Sequence, residues 1–335
     1  MSDSRAIRLC GLVWAALFVL AASAPEPENV AGKMITIPGQ YGDRLTVYGR
    51  FLRPPQLDRR WPAVILLHGG FASDSSGWFA PEGGLAGKLV LEGYAVLALD
   101  QRGSSGHSRE FADLDDMGTS EVNDVLSALR FLQSRTDMDP GRIAVIGASR
   151  GSALALRSAE STDQFKLVVG YSSVMDYRLF FCHHDCAESP AGKRWCQELW
   201  SREKVRSHPH ATPDKFCITM KKIAGCQPWE PGCRIFEAGS PLLHLDQLRA
   251  PVLLHHGEGD DAVAYQDVLA LDRHLNSLKL THQIFIYKTK DYGVVRHGFF
   301  SASNSEYNPA AAKVAWQRTL QALDYYLKGQ GKRPW

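Results

Sequence analysis

Six apolar runs constrain this chain more than any other feature. They are AVILLHGG (63–70), YAVLALDQRG (94–103), IAVIG (143–147), KLVVGYSS (166–173), PVLLHHG (251–257) and HQIFIYKT (282–289). Runs this short with no polar alternation suit strands buried on both faces. Helical patterns separate them. In SEVNDVLSALRFLQSR (120–135), Val122, Val125, Leu126, Leu129 and Leu132 form one stripe. A second helix follows GASRG from residue 152, and AAKVAWQRTLQALDYYLKG (311–329) closes the chain, with Gly329 as its stop. Strands alternating with helices predict an α/β fold, a mostly parallel sheet with helices on both faces. Upstream, KMITI, a turn at PGQYGD and RLTVYGRFL read as a strand pair.

One segment breaks the rhythm. Residues 176–238 hold Cys182, Cys186, Cys196, Cys217, Cys226 and Cys233, three tryptophans and few strand signals. An even cysteine count confined to one segment predicts three disulfides, whose pairing is open among 15 arrangements. The competing reading of CHHDC (182–186) is a metal site. Adjacent His183 and His184 do not share a helix face as i, i+4 ligands would, so no metal is expected. The segment reads as a disulfide-rich lid insertion over the sheet, too small to build its own core.

The N-terminus carries Arg5 and Arg8, then an apolar run from Leu9 to Ala24 closing in small residues. That is the order of a secretory signal, and the run is short for a membrane span of roughly 20 residues. The expected organisation is a signal peptide over 1–24 and one domain over 31–330, with the insertion inside it. An uncleaved anchor is the alternative. Export to the periplasm or outside the cell fits the cysteines, and the lack of an N-x-Ser/Thr sequon favours a bacterial envelope. The net charge of +2 is no basic footprint for nucleic acid. No membrane contact beyond the signal segment is expected, and the oligomeric state is left open.

GASRG (147–151) carries the chemistry. It follows the strand IAVI and opens a helix, the context of a nucleophile elbow. Ser149 sits on a sharp turn, and Gly147 and Gly151 carry no side chain where neighbouring turns approach. A serine hydroxyl needs a base. In this fold an acid and then a histidine follow the serine in chain order. HGEGDDAV supplies Asp260 and Asp261 just past one strand, and RHGFF supplies His297 past the next. The backbone N–H of Arg150 is one expected oxyanion donor, and Gly70 or Phe71 the other. The Arg150 guanidinium has two readings, a partner for a substrate carboxylate or an ordinary locally paired arginine.

These pieces resemble the α/β-hydrolase superfamily. Within it they are similar to the catalytic domain of the prolyl oligopeptidase family and to the dienelactone hydrolase group. LLHGGF (66–71), DQRGSSGHSREF (100–111), DPGRIAVIGASRG (139–151), SPLLHLDQLRAPVLLHHGEGDDAV (240–263) and RHGFF (296–300) carry the resemblance. It covers most of residues 45–328. It implies the α/β-hydrolase fold, with Ser149 as nucleophile, Asp260 rather than Asp261 as acid, and His297 as base. Three departures stand out. Only about 30 residues precede the first strands, so the propeller of large family members is not expected. Arg296 replaces a small residue before the histidine. The cysteine-rich insertion has no counterpart in the family pattern. Dienelactone hydrolases proper use a cysteine nucleophile where this chain has serine.

The expectation is an exported, cofactor-free serine hydrolase acting on a small-molecule ester or a short peptide. It is a peptidase of prolyl oligopeptidase type or a carboxylesterase. An acyltransferase on the same triad, and a silent binding protein of the same fold, are the alternatives.

Overall fold

The computed structural model describes residues 32–56, 59–70, 73–80, 84–104, 115–206 and 215–335. Residues 1–24, expected to be a signal peptide, Phe71 and part of DQRGSSGHSREF lie outside the described residues.

Among the described residues eight strands form one sheet: β1 Lys33–Ile37, β2 Val47–Leu52, β3 Trp61–Leu67, β4 Ala95–Asp100, β5 Met138–Ala148, β6 Val168–Tyr171, β7 Val252–Gly257 and β8 His282–Tyr287. Their order is β1-β2-β4-β3-β5-β6-β7-β8. The strand pair expected upstream is present, with Met34 opposite Arg50. It joins the sheet antiparallel to β4, and the remaining pairs are parallel.

The apolar runs are strands because both sheet faces are covered. Along β3, Ala63, Ile65 and Leu67 enter one core cluster, while Val64 and Leu66 enter the other. Successive side chains point to opposite faces, so a doubly covered strand has no polar position. The helices are α1 Leu85–Leu91, α2 Glu121–Ser134, α3 Arg150–Glu160, α4 Tyr177–His183, α5 Pro190–Glu203, α6 Lys215–Ala224, α7 Ile235–Gly239, α8 Tyr265–Ser277, α9 Thr289–Tyr292 and α10 Pro309–Leu323. Helices α2, α3 and α8 pack on one face, with Leu129, Ala155 and Leu271 buried there. Helices α1 and α10 cover the other through Leu89 and Ala315.

The cysteine-rich segment between β6 and β7 folds as α4 to α7. Three disulfides hold it, Cys182–Cys196, Cys186–Cys217 and Cys226–Cys233. Among its described residues there is no separate core. Phe181, Leu199, Met220 and Phe236 join the cluster that contains Val145 of the central strand.

The strand order turns back around β3, which lies between β4 and β5. Leu67 therefore pairs with Gly147 at the C-terminal ends of β3 and β5. Such a crevice is where open α/β sheets place ligands.

Candidate active site

Ser149 occupies the turn from β5 into α3 with φ +53° and ψ −121°. A side chain at positive φ costs about 1–3 kcal/mol and persists only where the surroundings enforce it. Here they do. A Cβ on Gly147 would lie 2.1 Å from the Gly151 carbonyl oxygen, and a Cβ on Gly151 would lie 2.2 Å from that of Leu67. The Ser149 N–H donates to the Tyr171 carbonyl at 2.8 Å, which ties the turn to β6. The turn after β3 closes against the serine from the other side. A Cβ on Gly69 would fall 2.9 Å from Ser149 Cβ.

Asp260 and His297, on the loops after β7 and β8, meet. His297 Nδ1 lies 3.0 and 2.9 Å from the two Asp260 carboxylate oxygens. A carboxylate only accepts, so Nδ1 carries the hydrogen and Nε2 is left with its lone pair. Asp260 is fully buried, whereas the His297 side chain is 24% exposed. Two backbone N–H groups, Ala262 and Val263, also donate to Asp260 Oδ1 at 3.0 and 2.9 Å. Burial pushes the Asp260 carboxyl up. The His297 charge and the hydrogen bonds of His256 and His297 outweigh it and hold the group well below the ordinary carboxylate range. Burial pushes His297 down, but the adjacent Asp260 charge and hydrogen bond leave it above its ordinary value. Asp261 is separated from this pair. It forms an exposed ion pair with Arg296, the residue that departs from the family pattern.

The two expected oxyanion donors are placed differently. Arg150 opens α3, and Gly70 sits at φ +76° in the turn after β3. Both line a cavity together with Ser149 and His297. The first turn of a helix leaves N–H groups without intrahelical partners, which suits a developing anion. Phe71 lies outside the described residues. His68 fixes the glycine turn: its Nδ1 donates to the Gly69 carbonyl at 3.0 Å and its Nε2 accepts from the Gln101 N–H at 3.1 Å. Burial pushes His68 down to about 4, so the ring is neutral.

The Arg150 side chain takes the local pairing. Its guanidinium, 3% exposed, reaches Glu121 at 2.6 Å, Asp115 at 2.9 Å and Gln101 at 3.0 Å. It is engaged with two buried carboxylates. The metal reading of CHHDC has no support, because both cysteines are in disulfides. His183 Nε2 meets Asp267 at 2.9 Å, and His184 Nε2 meets the Ala262 carbonyl at 2.9 Å.

Among the described residues, two cavities lie beside the elbow. The smaller, about 20 Å³, holds Ser149, His297, Gly70 and Arg150. The larger, about 420 Å³, lies against Gly69 and Ala148 and is lined by Trp78, Tyr171, Phe300 and Trp316.

Three supporting residues were not singled out from the sequence. His256 reaches Asp260 Oδ2 at 3.2 Å, four residues upstream of it. Ser172, itself at φ +48°, donates from Oγ to the His297 carbonyl at 2.7 Å. Glu306 accepts the Gly298 N–H at 2.7 Å. The i, i+4 spacing of His256 before the acid was the one signal available.

The sequence model of the Prolyl oligopeptidase family matches residues 87–219, and that of the Dienelactone hydrolase family matches 228–327. Acylamino-acid-releasing enzyme 2 of Oryza sativa subsp. japonica is 24% identical over 217 residues, 64% of this chain and 25% of that protein. Dipeptidyl aminopeptidase BIII of Pseudoxanthomonas mexicana is 24% identical over 254 residues, 73% of this chain and 31% of that protein. Among solved structures, Pyrococcus horikoshii acylaminoacyl peptidase superposes with a TM-score of 0.66 at 20% identity, covering 90% of this chain and 42% of that one. This chain therefore spans less than half the length of each of these three proteins, and the structural likeness is one of fold.

Proposed function

We propose that this chain, a member of the α/β-hydrolase superfamily, is an exported serine hydrolase. It cleaves ester or short peptide bonds through Ser149, His297 and Asp260. The observation that carries the reading is one arrangement. Ser149, on its enforced turn, lines the same cavity as His297, and His297 is held by both oxygens of a buried carboxylate.

The chemistry follows from those groups. Ser149 Oγ adds to the substrate carbonyl while His297 Nε2 takes its proton, and Asp260 stabilises the imidazolium. The carbonyl oxygen becomes an oxyanion and accepts hydrogen bonds from the N–H groups of Arg150 and of Gly70 or Phe71. One such donor is worth about 3 kcal/mol in the transition state. The tetrahedral adduct collapses, the bond to the leaving group breaks, and His297 gives that group its proton. Water then attacks the acyl-enzyme by the same route and frees Ser149. The likeness to acylaminoacyl and dipeptidyl peptidases favours a peptide substrate. An ester engages the same groups. Three disulfides support export, because such bonds persist in oxidising compartments.

The test is labelling with a fluorophosphonate probe, wild type beside Ser149→Ala. Wild type takes the label and the variant does not. Folded wild type that refuses the label, and turns over neither esters nor peptides, would sink the proposal and favour a silent binding protein.

A further inference from the structure

The cavity at Ser149 is very small. Its volume of about 20 Å³ is roughly the room of one water molecule. Beyond the catalytic groups, its walls among the described residues are apolar. Val174 and Tyr177 come from the segment after β6, and Val263 from the loop after β7. All three are at most 2% exposed, so these walls are held by close packing.

The remaining described wall is Ala262, Phe180 of α4 and Phe216, and Phe216 is, beyond the catalytic His297, the one aromatic of the described lining that is only half-buried. It belongs to α6, within the cysteine-rich insertion. Its neighbour Cys217 is bonded to Cys186, just past the end of α4. The Phe216 ring stands edge-on to Phe180, with centroids 5.9 Å apart, and to His184, at 5.2 Å. His184 is in turn held by the Ala262 carbonyl at 2.9 Å, two residues past Asp260. The insertion thus delivers Tyr177 and Phe180 from α4 to the nucleophile's cavity, and from α6 one further ring, Phe216. A disulfide fixes it from one side and two ring contacts from the other.

We infer that Phe216 is the size gate of the acyl pocket, and that the substrates are esters or amides of the smallest acyl groups, acetyl above all. The inference rests on Ser149 being the nucleophile. The carbonyl oxygen of an acetyl group goes to the oxyanion donors, and its methyl is about the size of the space that remains. Each further methylene must displace Phe216 or strain the packed walls, and forcing extra methylenes into a filled site is unfavourable. With Phe216 removed, the same methylenes gain burial instead. Discrimination of ten- to two-hundred-fold per misfit methylene is the ordinary range for such a pocket.

The experiment keeps the leaving group constant. kcat/KM is measured on p-nitrophenyl acetate, butyrate and octanoate, for wild type and Phe216→Ala. Phe216→Leu serves as a second variant, retaining apolar packing if the alanine variant fails to fold. In wild type, kcat/KM falls by about tenfold or more from acetate to butyrate. In either variant the butyrate-to-acetate ratio rises, by about tenfold for alanine and by less for leucine. Acetate and butyrate cleaved equally by wild type, or a ratio that neither variant moves, would overturn the gate and leave the serine hydrolase standing. No turnover of any ester, together with no fluorophosphonate labelling, would overturn the hydrolase reading and the gate with it.

Discussion

His256 Nε2 lies 3.2 Å from Asp260 Oδ2, the same carboxylate oxygen that His297 Nδ1 approaches at 2.9 Å. His256 Nε2 also lies 3.0 Å from the Val263 carbonyl. Both partners only accept, so the hydrogen resides on Nε2. Asp260 is thereby held by two imidazoles, and only His297 lines the cavity with Ser149. His256 is a positioning residue. A hydrogen bond to a buried charge contributes about 1.5–3 kcal/mol. If part of that is expressed as misorientation of His297, His256→Ala lowers kcat about tenfold with little change in KM. His256→Gln, which retains an N–H donor, recovers part of the loss. A KM effect without a kcat effect, or no rescue by glutamine, would contradict the role.

Activity and pairing depend on pH in opposite senses. Burial pushes His297 down, but Asp260 outweighs it, and Glu306 and Asp261 add to the upward shift. A general base works in its neutral form, so kcat/KM falls as pH drops through a value above the ordinary ~6.5 of histidine. Stability runs the other way. The contribution of protonated His297 is complete below ~6.5 and is lost as pH rises through its higher folded-state value. Asp260, with its value depressed, adds stability above the ordinary ~3.9 that is lost as pH falls below it. A pH–rate profile beside denaturant midpoints across the same range checks both. An acid limb centred below the ordinary histidine value would refute the Asp260 coupling.

Arg150 is a structural cation here. It is paired with Glu121 and Asp115, and Glu121 is 1% exposed. Burial raises the Glu121 carboxyl even with the guanidinium beside it. Breaking a buried pair from one side costs about 3–5 kcal/mol, so Arg150→Met lowers stability by about that much in urea unfolding. Adding Glu121→Gln to the methionine variant recovers part of it. The KM ratio between acidic and neutral substrates does not move. A selective rise in KM for acidic substrates would return the arginine to the substrate.

Strand ends, elbow and triad candidates were legible because each rests on local pattern or chain order. A doubly buried strand has no polar position, and Ser149, Asp260 and His297 each follow a strand in the expected sequence. What escaped depends on tertiary closure. His256 and His255 are adjacent histidines on one strand. The first turns toward Asp260, and the second toward Tyr287 at 2.9 Å and the core. Strand alternation separates their faces but not which face holds the acid. Ser172 matters only because the β8 loop returns over β6. The guanidinium of Arg150 was ambiguous because its partners lie 29 and 35 residues upstream in the chain, at Glu121 and Asp115. The cysteine pairing was unreadable for the same reason, since 15 pairings share one sequence.

The disulfides differ in what they hold. Cys186–Cys217 spans 31 residues, Cys182–Cys196 spans 14 and Cys226–Cys233 spans 7. In the chain-entropy account, closing loops of these sizes stabilises by about 4, 3 and 2 kcal/mol in that order. Packing points the same way. Cys186 is 1% exposed and sits in the main core cluster, whereas Cys226 only packs against its edge. Replacing each pair by alanine therefore lowers the thermal midpoint most for Cys186/Cys217 and least for Cys226/Cys233. Melts of the three double variants under oxidising conditions give the order directly. The Cys186/Cys217 variant also carries a second effect, because Phe216 precedes Cys217 and loses its anchor. Its loss of stability is accompanied by a higher butyrate-to-acetate ratio, and the Cys226/Cys233 variant shows no such change. A reversed order of midpoints would show that local packing around Cys226 and Cys233, rather than loop length, governs the insertion.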